Sequence, residues 1–437
     1  MKEHSHLMGK KVYIVDGSRT PFLKVKGVGP WSAADLAVAA GKGLLNRQPF
    51  QPSDLDEVII GAAMPEADEA NIGRLVALRL GCGDQVTGYT VMRNCASGMQ
   101  AIDEAALHIA SGRSHLVLAG GTEAMSRAPL LFNHQMAAWL ARWSSAKTIT
   151  QRLKLMTQFK PAYLTPVVGL LRGLTDPLLG WSMGQTAEKL AYQFGLSRDD
   201  LDQYANESHH RAAHAYAQGH MNEIEPLVDA KGRVYKEDDG YRADSSLQGL
   251  GKLKPYFDKK YGMVTAGNSS QITDGACLLL LASAEAVERF NLPVLGCIVD
   301  VQWSGLDPSV MGLGPVHAAQ AILQRQHLAI KDIDAWEINE AFAAQVLACF
   351  AAWNDETYCQ THLGESTAVG APDPALVNQD GGAIAIGHPV GASGARIVLH
   401  LLHTLQRKQI QRGMAAICIG GGQGGAMYIE RTTEVTK

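Results

Sequence analysis

Apolar runs alternate along the chain with segments of helical periodicity. Five runs predict buried strands, at residues 11–16, 55–61, 115–121, 276–282 and 415–422 (KVYIVD, LDEVIIG, HLVLAGG, ACLLLLA and AAICIGGG). Apolar residues recur every three to four positions at 33–45 and 96–110, which predicts helices. Strands that alternate with helices in this way predict an α/β fold with a largely buried sheet.

Two pairs of segments indicate an internal duplication. Residues 36–61 resemble residues 315–339, because each has a helical pattern, a short loop, an Asp-apolar-Asp entry and a strand. Residues 95–121 resemble residues 391–421 through CASG…VLAGG and GASG…ICIGG. Both pairs occur in the same order and at similar offsets, so we predict two related halves.

The alternation of strand and helix patterns stops in the middle of the chain. Pro/Leu-rich loops, a charged helical segment at 198–219 and a polar, turn-rich patch at 231–251 follow one another there. This change in composition and pattern predicts a loop domain inserted in the N-terminal half. The predicted units are an N-terminal half (1–127 plus 264–293), the inserted loop domain (128–263) and a C-terminal half (294–437).

Composition narrows the classes of protein to consider. The 437 residues carry a formal net charge of −4. A slightly acidic chain does not favour nucleic-acid binding. The seven cysteines form no CxxC pair, so we expect no zinc site, no disulfide framework and a reducing compartment. No apolar stretch reaches membrane-spanning length and residues 1–11 show no signal-peptide pattern, so we expect a cytoplasmic protein.

The segment NCASGM places Cys95 at the N-terminal end of the second predicted helix. A free cysteine at a tight strand-to-helix turn is often simply core material. Alternatively, the helix N–H groups and dipole lower the pKa of the thiol and make Cys95 a nucleophile. Cys95 taken alone does not decide between these interpretations.

His388 stands at the corresponding place in the second half. It lies between glycines in GGAIAIGHPVGASG, just before another small-residue turn and helix. Two turns related by a duplication face one another across a pseudo-two-fold axis, which would bring Cys95 and His388 to one site. A thiolate nucleophile needs such a base within hydrogen-bond reach, so the relation favours catalytic roles for both residues.

Two further stretches carry polar or reactive groups. Cys418 ends a predicted strand in AAICIGGGQGGAMYIE, where a second strand follows the glycines. This order predicts a glycine hairpin rather than a dinucleotide-binding loop. Asn339 stands at a strand-to-helix junction in EINEAFAAQ, and is either a helix N-cap or a polar group that holds a water or an oxyanion.

These stretches together resemble the thiolase family. The similar motifs are NCASGMQ, NEAFA, GGAIAIGHPVGASG and CIGGGQGGA, together with VDGSRTPF and VTAGNSSQITDGA, and they span nearly the whole chain in the family's order. The resemblance implies an α/β thiolase fold, with duplicated βαβαβαββ halves packed in five layers (αβαβα). It also implies an acyltransferase, usually a dimer, with acyl-CoA and coenzyme A as substrates and no cofactor or metal.

The resemblance implies a role for each matching residue. Cys95 matches the nucleophile that is acylated, and His388 matches its activating base, which also donates to an oxyanion. Cys418 matches the acid/base that moves a proton on the substrate α-carbon. Asn339 matches the residue that holds a water in one oxyanion hole, and the N–H groups of Cys95 and Gly420 match the second hole. Coenzyme A contacts would fall on Met183, Phe257, Ala266, Ser270, Met311 and Phe342.

The resemblance implies thiolytic cleavage of 3-ketoacyl-CoA to acetyl-CoA and a shortened acyl-CoA, as in fatty-acid β-oxidation. Many short-chain thiolases have a histidine where this chain has Ser182, and the apolar segment 161–181 is also untypical of them. The insertion is more similar to trifunctional-type β subunits, which implies a hydratase/dehydrogenase α subunit as partner. Two alternatives stay open: a biosynthetic acetoacetyl-CoA thiolase and a catalytically silent lipid carrier, which the presence of all four reactive residues disfavours.

Residues 124–175 contain no Asp or Glu but seven Lys or Arg residues, although the whole chain is acidic. A helical projection separates apolar from basic side chains there; its apolar side holds Ile149, Leu153, Met156 and Phe159. A basic amphipathic helix suits an anionic membrane surface or a partner groove, so we expect peripheral contact through residues 127–181. The alternative is a helix packed on the protein's own core, with basic groups near the phosphates of coenzyme A.

Overall fold

The computed structural model describes residues 9–432. It confirms all five strands predicted from apolar runs, with ends shifted by up to three residues. The strands are β1 (Val12–Arg19), β2 (Leu23–Lys24), β3 (Glu57–Gly61), β4 (Thr87–Val91), β5 (Leu116–Ala124), β6 (Leu130–Leu131), β7 (Val167–Val168), β8 (Leu227–Val228), β9 (Val234–Tyr235), β10 (Thr273–Ala282), β11 (Gly296–Gly305), β12 (Ala335–Ile338), β13 (Arg412–Ile419) and β14 (Gln423–Glu430).

The predicted helices are also present. The first begins after Ser32, because the Ser32 side chain accepts from the Asp35 amide while the Asp35 carboxylate accepts from the Ser32 amide. The helices are α1 (Ala33–Asn46), α2 (Ile72–Arg79), α3 (Ser97–Ala110), α4 (His134–Ser145), α5 (Ile149–Thr157), α6 (Gly169–Gly173), α7 (Met183–Gln193), α8 (Arg198–Ala217), α9 (Leu247–Gly251), α10 (Ala284–Phe290), α11 (Gly314–Gln326), α12 (Ala343–Asn354), α13 (Glu356–Tyr358), α14 (Ala383–Ile386) and α15 (Val390–Lys408).

Ten strands form one mixed sheet whose two halves correspond. The order is β12-β13-β14-β11-β1-β10-β5-β3-β4, with β2 beside β10. The halves join at the centre, where residues 12–14 of β1 pair with residues 296–298 of β11. Both central strands shift register at matching places, after Ile14 and after Ile298. These matched irregularities support the duplication inferred from the sequence.

The two half-sheets enclose a central layer of helices. Helices α3 and α15 share one apolar cluster with Val117 and Leu279 of the N-terminal half-sheet and with Ile417 and Met427 of the C-terminal one. Helices α1 and α2 cover the outer face of the first half-sheet, and α11 and α12 cover that of the second. The chain therefore has the five predicted layers, αβαβα.

The second half departs from the predicted βαβαβαββ order. Its third strand is reduced to a single bridge between Val377 and Trp336. Pro374 begins a 3₁₀ turn just before this point, and Asn378 adopts a left-handed φ of 48° just after it. Neither backbone conformation continues a strand, so the extended segment is too short to form one.

The segment between β5 and β10 is tied to the sheet by buried charges. It holds α4–α9 and two small sheets, β6–β7 and β8–β9. Arg19 of β1 is fully buried and pairs with Asp238 at 2.7 Å and with Glu223 at 3.1 Å. The predicted charged helix is present as α8, whereas the proposed unit boundaries at 128 and 263 stay predictions.

The basic segment forms a helical pair whose apolar side differs from the projection. Helix α5 ends at Thr157, so Phe159 lies beyond it and packs on Trp139 of α4, with ring centroids 5.1 Å apart. Ile149, Leu153 and Met156 are 70%, 55% and 58% exposed. Placing Phe159 on the same side as these residues is therefore wrong, and their exposure argues against packing on the protein's own core.

None of the helices within residues 9–432 is both long and apolar enough to cross a membrane. Residues 1–8, which contain most of the N-terminal stretch used for the expected cytoplasmic location, lie outside the described residues. The location in the cell therefore stays a prediction.

Candidate active site

The N-terminal ends of α3 and α15 touch in the central layer. A Cβ atom on Gly98 of α3 would lie 2.9 Å from the carbonyl oxygen of Gly391 of α15, so only glycine allows this approach. Cys95 lies in the 3₁₀ turn Asn94–Ala96 just before α3, and this turn packs against α15 and β13. His388 lies two residues before α15. The structure thus brings together the two turns that the sequence repeat relates.

Cys95 is partly exposed and is held against the β13–β14 hairpin. The Gly420 amide donates toward the Cys95 sulfur, and Asn94 Nδ2 donates to the Gly420 carbonyl oxygen at 2.9 Å. Desolvation around the sulfur raises the pKa of the Cys95 thiol, while the Gly420 amide lowers it. Because the net shift is upward, Cys95 needs a base to become a thiolate.

His388 is buried and has one ring nitrogen available. Nδ1 lies 2.6 Å from Ser393 Oγ, which itself donates to the Pro389 carbonyl oxygen at 3.1 Å. This network assigns the ring proton to Nδ1 and leaves the lone pair on Nε2, which has no hydrogen-bond partner within residues 9–432. Burial, with a smaller effect of Arg396, lowers the pKa of His388 to about 4. His388 is therefore a neutral base near neutral pH.

Asn339 follows β12 and is fully buried. Its backbone amide donates to the Ala416 carbonyl oxygen at 2.9 Å, but neither side-chain Nδ2 nor Oδ1 has a partner among the described residues. Phe342 occupies the N-cap position of α12, so the N-cap interpretation of Asn339 is wrong. A buried amide left unpaired costs about 1–3 kcal/mol, which is typical of a group that binds a water or ligand.

Cys418 lies one residue before the end of β13 and is buried. Burial and the nearby Cys95 and Cys349 thiols raise the pKa of Cys418 well above its usual value. The Cys418 thiol therefore keeps its proton and is suited to donate it to a strong base. Gly420 follows in the predicted hairpin, where Gly421 takes a φ of 94° that favours glycine.

Four of the six predicted coenzyme A contacts share an apolar cluster with Cys418. They are Met183, Phe257, Met311 and Phe342. The rings of Phe257 and Phe342 meet edge-on, with centroids 6.0 Å apart. Ala266 and Ser270 lie on the loop that leads into β10, and Ala266 is exposed. All six assignments stay predictions, since no ligand contact tests them.

Glu123 is a buried acid that the sequence analysis does not identify. Its carboxylate accepts from the amides of Ala63 (2.9 Å), Met64 (3.0 Å) and Gly391 (3.1 Å). Burial raises the pKa of Glu123 to about 7, although these three amides oppose the shift. The charge of Glu123 in turn raises the pKa of the Cys95 thiol. Its signal in the sequence is a lone acid in the apolar strand VLAGGTEAM.

The arrangement suits acyl transfer through a covalent intermediate. It combines a partly exposed thiol, a neutral imidazole base, a second protonated thiol and an amide available for an oxyanion or water. Across residues 9–432 no group of three or more His, Cys, Asp and Glu side chains could hold a metal ion.

Comparison with known proteins relates this geometry to a family. Residues 12–285 match the family model described as "Thiolase, N-terminal domain", and residues 292–431 match "Thiolase, C-terminal domain". The chain is 38% identical over 427 residues to "Trifunctional enzyme subunit beta, mitochondrial" of Rattus norvegicus, covering 96% of this chain and 88% of that protein. It is 39% identical over 434 residues to "Beta-ketoadipyl-CoA thiolase" of Pseudomonas knackmussii, covering 97% and 100%.

Solved structures agree with these sequence matches. The acetyl-CoA acetyltransferase of Bacillus anthracis superposes with a TM-score of 0.84 at 35% identity, covering 97% of this chain and 100% of that one. The human mitochondrial 3-ketoacyl-CoA thiolase in complex with CoA gives 0.83 at 34% identity, covering 99% and 100%. Both family models and near full-length relatives match, so the chain belongs to the thiolase family of acyltransferases.

Proposed function

We propose that this protein catalyses the thiolytic cleavage of 3-ketoacyl-CoA by coenzyme A, giving acetyl-CoA and a shortened acyl-CoA. The observation that carries the proposal is the placement of the Cys95 turn against α15 and β13, beside the neutral base His388 and the protonated thiol Cys418. Relatives named "3-ketoacyl-CoA thiolase" and "Trifunctional enzyme subunit beta, mitochondrial" support the degradative direction.

The first half of the reaction acylates Cys95. His388 Nε2 accepts the thiol proton while the sulfur attacks the 3-keto carbon. The C2–C3 bond then breaks, and the carbanion of acetyl-CoA takes the proton of Cys418. A water on the Asn339 amide, and the N–H groups of Cys95 and Gly420, supply hydrogen bonds to the oxygens that become negative.

The second half releases the acyl group. The proton held by His388 returns to the Cys418 thiolate, so both groups regain their starting state. His388 then accepts the thiol proton of a second coenzyme A, whose sulfur attacks the thioester carbon. Cys95 leaves as a thiolate and takes the proton back from His388. Two accessible steps replace one difficult step.

Mass spectrometry tests the proposal. After exposure to acetoacetyl-CoA or acyl-CoA, intact mass should rise by one acyl group, and peptide mapping should place it on Cys95. Cys95→Ala should abolish both adduct and turnover, whereas Cys82→Ala, at a buried cysteine of the outer apolar cluster, should change neither. An adduct on another residue, with full turnover by Cys95→Ala, would refute the mechanism.

Condensation of two acetyl-CoA molecules is the second candidate function. The similarity to the Bacillus anthracis acetyl-CoA acetyltransferase favours it. Thiolysis rates measured against 3-ketoacyl chain length, beside the rate of acetoacetyl-CoA synthesis, separate the two. We expect longer chains to react faster than acetoacetyl-CoA, and a preference for acetoacetyl-CoA would favour condensation. A protein that binds acyl-CoA without turnover would indicate a silent lipid carrier.

We also propose a homodimer that associates with a hydratase/dehydrogenase α subunit. Strand β4 forms one edge of the sheet, and its outer side is unpaired among residues 9–432; such an edge favours pairing with a second copy. The relatives named as trifunctional enzyme β subunits support the α-subunit partner. Light scattering of the pure protein tests the dimer, and co-purification with a co-expressed α subunit tests the partner.

Residues 127–181 are the proposed contact with an anionic membrane surface. The exposed apolar side of α5 stands beside basic residues, and each basic group near such a surface contributes about 1 kcal/mol. Liposome co-sedimentation should weaken with salt and in the variant Lys147→Gln, Arg152→Gln, Lys154→Gln. The matched control changes three exposed basic residues of the β8–β9 region to Gln: Lys231, Arg233 and Lys236.

The same variants distinguish the other roles of this segment. Weakened capture of the α subunit with unchanged liposome binding would indicate a partner groove instead. A higher KM for coenzyme A with unchanged association would indicate a phosphate-binding role. Unchanged behaviour in all three assays would remove any docking role for these residues.

A further inference from the structure

Glu340 is buried between β12 and α12 and accepts four hydrogen bonds. Its Oε1 accepts from Tyr204 Oη at 3.1 Å and from Asn378 Nδ2 at 2.9 Å. Its Oε2 accepts from Ser208 Oγ at 2.7 Å and from the Ile384 amide at 3.2 Å. The donors come from α8 of the inserted segment, from the loop before α14 and from α14 itself. One carboxylate therefore joins the start of α12 to two other parts of the chain, α8 and residues 378–384.

These bonds hold the backbone on both sides of Asn339. Asn378 Oδ1 accepts from the Ile338 amide, and Asn378 Nδ2 donates to the Ile338 carbonyl oxygen, each at 2.8 Å. The same Nδ2 donates to Glu340. The residues before and after Asn339 are thus held through one asparagine. Because the Asn339 side chain finds no partner in the described part of the chain, its orientation depends on its neighbours.

The same carboxylate also reaches the segment that carries His388. Ile384, which donates to Glu340, belongs to α14, and α14 ends two residues before His388. The Gly382 amide donates at 3.1 Å to Ser208 Oγ, which donates to Glu340. A Cβ atom on Gly382 would lie 2.4 Å from the carboxyl carbon of Glu340. A shift of the carboxylate would therefore move this segment as well.

We propose that Glu340 is a positioning residue that sets the orientation of Asn339 and His388 from helix α8. It acts through Asn378, Ser208 and the α14 amide, and it does not touch the substrate. The four donors offset the cost of burying a carboxylate. The inference rests on the proposed function, in which Asn339 and His388 assist acylation.

Glu340→Gln tests the role with little change in shape. The glutamine replaces one acceptor oxygen by an NH₂ group, which opposes an N–H donor at one end of the network. Misplacement of catalytic groups by about 1 Å can cost on the order of 10²-fold in rate. We expect kcat to fall roughly 10- to 100-fold with little change in KM for coenzyme A, because none of the four donors to Glu340 is a predicted coenzyme A contact.

A double-mutant cycle separates positioning from general structural damage. In an Asn339→Ala background, Glu340→Gln should cost clearly less than it does alone, because one of the two groups that it positions is absent. Glu57→Gln is the matched control: Glu57 of β3 is also buried, and it bonds His108, near the C-terminal end of α3, at 2.6 Å. This control should keep wild-type kcat. Thermal melting of each variant records any loss of folding.

Two outcomes would overturn the inference. The first is wild-type kcat in Glu340→Gln, and the second is a full, multiplicative loss in the Asn339→Ala background. If Glu340→Gln does not fold, Ser208→Ala removes one donor to Glu340 together with the acceptor of the Gly382 amide. A smaller fall in kcat that is again reduced in the Asn339→Ala background supports the role, and its absence refutes it. Failure of the wild-type protein to acylate Cys95 would instead refute the proposed function, and the positioning role with it.

Discussion

Replacing Ser393 by alanine tests how His388 works as a base. Ser393 Oγ lies 2.6 Å from His388 Nδ1 and donates its own proton to the Pro389 carbonyl oxygen. The hydroxyl therefore accepts the Nδ1 proton and keeps the Nε2 lone pair free for the Cys95 thiol. In Ser393→Ala the Nδ1–H group loses its acceptor in a buried setting. The preference for the Nδ1–H tautomer is then lost, and the tautomer whose Nε2 carries the proton, and is no base, becomes populated.

The expected loss follows from the cost of an unpaired donor. A buried N–H group without an acceptor costs about 1–3 kcal/mol. Each 1.36 kcal/mol corresponds to a tenfold change in rate, so acylation of Cys95 should slow roughly 5- to 150-fold. KM for coenzyme A should change little, since Ser393 is buried in α15 and is not among the predicted coenzyme A contacts.

Rapid-quench mass spectrometry of the Cys95 acyl adduct measures this step directly. Thr404→Ala is the matched control, because Thr404 is a buried hydroxyl on the same helix about three turns away from Ser393. It should leave the acylation rate unchanged. A Ser393→Ala protein that acylates Cys95 at the normal rate would refute the assignment of Nε2 as the base.

Three further substitutions test other groups. Cys418→Ser should keep some acylation of the nucleophile but slow the exchange of acetyl-CoA methyl protons with D₂O by roughly 10²–10⁴-fold; a normal exchange rate contradicts its role. Glu123→Gln removes a charge that raises the pKa of Cys95, so the pH profile of iodoacetamide alkylation should move to lower pH, and an unchanged profile contradicts the coupling. His400 is buried between two carboxylates, which outweigh the opposing effect of burial and raise its pKa to about 10. The His400 cation therefore stabilises the fold fully below the unfolded pKa of about 6.5, and this stabilisation decreases as pH rises toward 10. His400→Gln should lower the free energy of unfolding by about 3–5 kcal/mol at low pH and should remove much of its dependence on pH. Urea unfolding at several pH values measures the loss of stability and its dependence on pH. An equal loss at every pH would contradict the assignment of a stabilising cation to His400.

The strands, the helices and the relation between the two halves could be predicted from the sequence. Strand and helix periods depend on which side chains along one segment are apolar, so β5, β10 and α3 could be predicted without knowledge of their neighbours. The glycine hairpin at Gly420 was predictable for the same reason, because the φ values that glycine favours are a local property. Motif order over the whole chain also identified the family, while the internal repeat predicted that Cys95 and His388 lie at one site.

The hydrogen-bond partners of the buried polar groups depend on contacts between distant segments and could not be predicted from the sequence. Asn339 stands where an N-cap is expected, yet the helix begins after Phe342 and the amide stays unpaired among residues 9–432. The donors to Glu340 include Tyr204 and Ser208, more than 130 positions earlier in the chain. Glu123 likewise meets the Gly391 amide 268 positions away. A hydrogen bond between such segments does not change the hydrophobic pattern of either one. Its partners depend on how the layers pack, and not on residues that are neighbours in the chain.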